Sequence, residues 1–254
     1  MRVTLPAGKL ACRKTILRVG WLSRYQSGMK IIFANTKGGV GKSTMAVHAA
    51  VWLHDQGFRV AVLDLDKQRS SSVWVAEAEP KITIRTADTP EQCVQEAQAL
   101  AETSDILVAD APGGLDDLSR TLLLLADMAI FPITPSILDL RSVQGATSIL
   151  DYAQRLNKGR PEGRLLLNKM KSRETTSREL KKVSQSLGLV VVEHVVRDLQ
   201  AFRDAAQQGT VVTRMGTRGV QAASDMQSVL KELFADLIKQ RELTPIENKE
   251  VGNG

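Results

Sequence analysis

The octapeptide Lys37-Gly38-Gly39-Val40-Gly41-Lys42-Ser43-Thr44 constrains this chain more than any other stretch. It stands between a short apolar run at 30–35 and a segment at 43–56 whose apolar residues Met45, Val47, Ala49, Ala50 and Leu53 recur at helical spacing. That order predicts strand, glycine-rich loop and helix, the opening of a parallel βαβ unit. Glycines at 38, 39 and 41 let the backbone turn its N–H groups toward an anion, and the following helix adds the positive end of its dipole. Lys42 is placed to reach the β and γ phosphates of a nucleotide, and the Ser43 hydroxyl to ligate Mg²⁺.

Strand-like runs recur at 59–63, 82–86, 106–109, 128–133, 164–167 and 189–192, with amphipathic helical stretches between most of them. This alternation predicts an α/β fold: a mostly parallel, doubly wound sheet with helices on both faces, the architecture of a P-loop NTPase. A magnesium–nucleotide site needs carboxylates where the strands end. Asp64 and Asp66 follow the 59–63 run, and Asp110 follows 106–109 within Asp110-Ala111-Pro112-Gly113-Gly114. A last helix is expected over 220–240, with Val220, Ala223, Met226, Val229, Leu230, Leu233, Phe234, Leu237 and Ile238 on one core-facing stripe.

The net charge of +6 is local. Residues 1–28 carry six basic side chains and no acid, so the remainder holds 28 basic against 28 acidic residues. That stretch reads as a basic extension preceding an ATPase-sized domain at 29–241, and the polar residues 242–254 as a disordered tail. Polyanion binding must therefore rest on local clusters. One lies within 155–182, where ten basic residues face three glutamates; such a run reads either as a solvated face or as a surface for a polyanion such as DNA, with Lys171, Arg173, Arg178, Lys181 and Lys182 as its candidates. Arg197, Arg203 and Arg218 come from a second group. Cys12 and Cys93 are too far apart in sequence to suggest a disulfide framework or a CxxC site, and no apolar run approaches the length of a membrane span.

The loop resembles the deviant Walker A signature of the ParA/MinD superfamily, with a second lysine, Lys37, and Thr36 where the standard pattern has glycine. The resemblance continues through Asp64-Leu65-Asp66, Asp110-Ala111-Pro112-Gly113, Pro132-Ile133-Thr134-Pro135-Ser136 with Asp139, and Asn168, and it is nearest to the small ParA-type partition ATPases, a likeness to which Trp74 adds. It implies a homodimer closed around two ATP molecules, with Lys37 of each protomer reaching the phosphates held by the other. It further implies phosphate binding by Lys42 and the loop amides of Gly38 to Thr44, Mg²⁺ binding by Ser43 with Asp64 and Asp110 acting through water, a water-positioning role for Asp66 and adenine recognition by Asn168. Function by resemblance is ATP-dependent DNA segregation: non-specific DNA binding, and hydrolysis stimulated by a centromere-binding or cargo-adaptor partner in the bacterial cytoplasm, on the nucleoid. A MinD-like membrane-cycling regulator is the alternative, though the polar tail argues against stable membrane insertion. Lys67 and Pro112-Gly113-Gly114 stand where many members carry prolines, so hydrolysis rate and switch-loop behaviour are open.

Overall fold

The computed structural model describes residues 28–114, 116–134, 137–171 and 189–242; in the helix beginning at Ile137, side chains are described only at 143, 145 and 147–156. Seven strands form one sheet: β1 (Met29–Phe33), β2 (Val60–Asp64), β3 (Thr83–Thr86), β4 (Ile106–Asp110), β5 (Met128–Ile133), β6 (Glu162–Leu167) and β7 (Val190–Val191). Their order is β3-β2-β4-β1-β5-β6-β7 and every pairing is parallel. The expected α/β architecture is the observed one.

The helices are α1 (Lys42–Asp55), α2 (Ser70–Ala78), α3 (Pro90–Thr103), α4 (Asp117–Leu125), α5 (Ile137–Leu156), α6 (Gln200–Gln207), α7 (Val220–Leu233) and α8 (Ala235–Glu242), with 3₁₀ turns at Val212–Arg214 and Gly216–Gly219. Start signals in the sequence are used where they occur. Thr89 accepts a hydrogen bond from Gln92 N ahead of Pro90, and Asp116 accepts one from Ser119 N at the head of α4.

Alternation along β1 divides the core in two. Ile31 and Phe33 face a layer built with α1, α2 and α7, while Ile32 and Ala34 face the layer of α3, α4 and α5. Cys93 lies in the second layer, where burial pushes its thiol up to about 12, so it is a packing residue without thiolate chemistry. Helix α1 departs from the amphipathic expectation: ten of its fourteen residues are buried, because the helix is covered by the sheet on one side and by α2 and α7 on the other.

The C-terminal helix also differs from the sequence reading. It breaks at Phe234 (φ −114°, ψ 19°), whose ring turns inward to stack on Trp52 at 6.2 Å between centroids. Leu237 and Ile238 of α8 still pack on the core, but Val220 is 60% exposed and Ala222 takes the buried position at that end. Among the described residues no helix is long and apolar enough to cross a membrane.

His48 ties α1 to the C-terminal part of the chain. Its Nδ1 lies 2.7 Å from Thr44 O and its Nε2 accepts from Val212 N at 3.2 Å, which fixes a neutral ring protonated at Nδ1. Trp74 and Phe202 enclose it edge-on, and burial pushes its pKa from 6.5 down to about 4. A histidine depressed in this way contributes its stability in full above pH 6.5 and loses it as pH falls toward 4, on the order of 3 kcal/mol when complete. We expect thermal unfolding of the nucleotide-free protein to show a steeper acid loss than the His48→Gln variant over that window. The comparison must be between variants, because Asp110, raised to about 7, slopes the opposite way.

Candidate nucleotide site

The site lies where β1, β2 and β4 end. Asn35, the last residue before the loop, donates from Nδ2 to Pro132 O (2.7 Å) and accepts from Lys37 N (2.9 Å), so the loop leaves the sheet through an Asx turn anchored on β5. Gly39 (φ 75°) and Gly41 (φ 98°) are left-handed, and positions 38 and 39 face open space. The backbone thus curls ahead of the N-terminus of α1, the geometry that presents N–H groups to an anion.

Two lysines of the loop are placed differently. Lys42 is buried at 7% exposure, with Nζ donating to Lys37 O at 3.2 Å. Burial lowers its pKa, and the charges of Asp110 and Asp66 oppose that shift. Lys37 is exposed at the loop's outer edge. From the other side, Asn168 and Lys169 at the end of β6 brace the loop: Asn168 Nδ2 donates to Val40 O (2.8 Å) and Lys169 Nζ to Gly39 O (2.7 Å). Asn168 is itself buried, and its Oδ1 accepts from Lys169 N. Any reading of an adenine edge by this amide therefore has to share it with the loop.

The register pairs Asp64 directly with Asp110 across β2 and β4. Both are fully buried, yet they are not equivalent. Asp64 accepts from Asp66 N (3.0 Å) and Ser72 N (2.9 Å), which satisfies both its oxygens. Neither oxygen of Asp110 has a hydrogen-bond partner, and the neighbouring Ser71 hydroxyl is likewise unpaired. Burial pushes Asp110 up to about 7, Asp64 adds to the rise, and Ser43, Ser71 and Lys42 stand close enough to oppose it. A fully buried carboxylate whose oxygens lack a well-formed hydrogen bond, beside the Ser43 and Ser71 hydroxyls and a second carboxylate, is part of a set of hard oxygen donors that fits Mg²⁺. Gly113 closes the far side, its Cβ position 3.9 Å from both Gly38 Cα and Lys42 Nζ. Asp66 is half-buried, and its Oδ1 accepts from Gln68 N (2.9 Å).

Sequence reasoning brought these residues together and missed three: Asn35, Lys169 and Arg69, which bonds the Asp64 carbonyl. Asn35 could have been found as an Asx-turn residue at a strand end. Lys169 was counted only as one charge in a basic cluster, and nothing local marks its reach to Gly39.

Of the DNA candidates, Arg173, Arg178, Lys181 and Lys182 lie outside the described residues, as do 1–27 of the extension and 243–254 of the tail. Arg197 forks onto Asp225 (2.7 and 2.8 Å) and Arg203 bonds Asp198 and Gln200, so both guanidinium groups are already engaged. Lys171 and Arg218 are exposed and, among the described residues, make no hydrogen bond or ion pair.

Comparison with known proteins agrees with this geometry. The family model described as the CobQ/CobB/MinD/ParA nucleotide binding domain matches residues 31–243. The chain is 29% identical over 206 residues to the maintenance of carboxysome distribution protein A of Halothiobacillus neapolitanus, covering 79% of this chain and 94% of that one. It is 26% identical over 234 residues to the VirC1 protein of Rhizobium radiobacter, covering 82% and 98%. A Cyanothece McdA variant solved in complex with ATP superimposes with a TM-score of 0.65 at 15% identity, over 82% of this chain and 96% of that one, a likeness of fold.

Proposed function

This chain belongs to the CobQ/CobB/MinD/ParA nucleotide-binding family and is an ATPase, and we propose that it is a ParA-type cargo-positioning or DNA-segregation ATPase that dimerises on ATP and binds DNA without sequence preference. The observation that carries this reading is the division between the two loop lysines. Lys42 is buried against the site's own carboxylates, whereas Lys37 is exposed where a second protomer's phosphates could meet it.

In this reading the N–H groups from Gly38 to Thr44 hold phosphate, and Lys42 neutralises charge that builds on the transferred phosphoryl group. Mg²⁺ would be held by the Ser43 hydroxyl, with Asp64 and Asp110 behind it, and supplies further charge neutralisation at the β and γ phosphates. Asp66 orients the attacking water, close enough to Lys42 for their charges to interact. Catalysis is positioning and electrostatics, so a slow basal rate and stimulation by an adaptor protein are natural.

Lys171 and Arg218 support the DNA side of the proposal, since both are exposed cations that make no ion pair among the described residues, and such groups are available to phosphates. Relatives named for carboxysome distribution and for ParA support a cargo adaptor or centromere-binding protein as the partner, and the proposed DNA binding would put the protein on the nucleoid in the cytoplasm. The membrane-cycling alternative gains nothing from α8, whose Leu237 and Ile238 are spent on the core.

The test is binding of random-sequence duplex DNA by the Asp66→Ala protein with ATP and with ADP. We expect binding with ATP only, falling with salt, and weaker by about threefold or more for Lys171→Glu or Arg218→Glu. No binding in either state with the nucleotide site filled would refute the DNA reading and leave the ATPase assignment intact.

A further inference from the structure

Arg69 is the residue before α2, and its backbone is left-handed (φ 52°, ψ 29°), a conformation costly for any side chain. Its own guanidinium accounts for the geometry. One Nη donates to the Asp64 carbonyl at 2.5 Å, and the other pairs with Asp88 just beyond β3. The Arg69 N–H meanwhile donates to the Asp66 carbonyl at 2.9 Å. The segment from Asp64 to Arg69 is therefore closed into a ring by the guanidinium, and the Arg69 N–H closes a smaller turn inside it that starts at Asp66. Asp64 completes the ring from within, its carboxylate accepting from Asp66 N and Ser72 N.

The Asp88 arm of this arrangement adds little to stability. Asp88 is 73% exposed, and an exposed ion pair contributes little. The strain is stored in the loop that carries Asp66, where small displacements of a water-positioning carboxylate are expensive in rate.

We propose that Arg69 is a positioning residue for ATP hydrolysis: by tying the Asp64 carbonyl to the end of β3 it holds the Asp66 carboxylate at its working position over the phosphate site. The inference rests on the assignment of Asp66 as the residue that orients water. The side-chain hydrogen bonds of Arg69 go to the carbonyl of Asp64, not its carboxylate, and to Asp88.

The experiment compares kcat, KM for ATP and the dissociation constant of a fluorescent ATP analogue for wild type, Arg69→Ala, Arg69→Gly, Arg69→Lys and Asp66→Ala. We expect kcat to fall about tenfold or more in Arg69→Ala and Arg69→Gly with analogue affinity within about twofold of wild type, because only positioning is lost. Arg69→Lys, which can still reach the Asp64 carbonyl, recovers part of kcat. The glycine variant is decisive, since it removes the backbone strain together with the side chain and is expected to fold. Wild-type kcat in Arg69→Gly, with Asp66→Ala inactive, overturns this inference alone. So does a parallel loss of analogue binding and kcat, which marks a merely structural role. Wild-type hydrolysis by Asp66→Ala overturns the assignment on which the inference rests.

Discussion

Lys42→Ala is expected to lower single-turnover ATP hydrolysis by about a thousandfold, the scale at which a preorganised charge acts on phosphoryl transfer. Lys42 is 7% exposed, its ammonium bonded to Lys37 O and within reach of the charges of Asp110 and Asp66. Its desolvation cost is already met in the resting protein, so no reorganisation is needed when charge develops on the γ-phosphate. Lys42→Arg should not rescue, because a larger, fork-shaped guanidinium does not fit the space of a buried ammonium bonded to Lys37 O. The same electrostatics predict an opposite pair of stability changes. Removing Lys42 leaves the orphaned Asp110 carboxylate with less compensation, and the metal-free protein should melt earlier at pH 8. Asp110→Asn should melt later than wild type at that pH, because a neutral amide avoids the burial that pushes Asp110 up to about 7, while losing the added stability that Mg²⁺ and ATP confer on wild type. Thermal unfolding with and without Mg-ATP, beside rapid-quench hydrolysis, checks both arms.

The parts of the fold that were legible in the sequence are those dictated by local pattern. Strands β1, β2, β4, β5 and β6 are apolar runs between turn residues, and the glycine-rich loop announces the first βα junction, so the sheet and the position of Asp64 and Asp110 at its carboxyl edge could be read directly. The rest depends on contacts between distant segments. Phe234 breaks the last helix although no glycine or proline marks the spot, because its ring gains a place against Trp52, 182 residues earlier in the chain by the numbering. β7 shrinks to two residues since only Arg164 and Leu165 pair with it. Arg69 and Lys169 adopt left-handed backbones that sequence would assign to glycine or asparagine, and each is held there by a side-chain bond to a loop carbonyl. Resemblance supplied the roles proposed for Lys37, Asp66 and Asn168. Packing supplied what supports them.

Gly41→Ala is expected to weaken ATP binding about 50- to 100-fold, which corresponds to about 2–3 kcal/mol. Two costs add. At φ 98° a Cβ is disfavoured by about 1–2 kcal/mol. The Cβ would also run into the Asn168 amide, displacing the hydrogen bond to Val40 O, a loss of about 1 kcal/mol. The contributions can be separated. Asn168→Ala alone should weaken binding less than Gly41→Ala, and adding it to Gly41→Ala should cost little more, since the bond it removes is already broken and the clash disappears. Gly38→Ala is the contrasting change: its φ is not positive and its Cβ would meet open space, so the unliganded protein should keep its melting temperature. Any affinity that variant loses measures how closely phosphate approaches the backbone at that point. Equilibrium titration with ATP and thermal unfolding of the four variants decide the matter: near-wild-type affinity in Gly41→Ala would mean that the loop reopens on binding and that the Asn168 brace belongs only to the empty site.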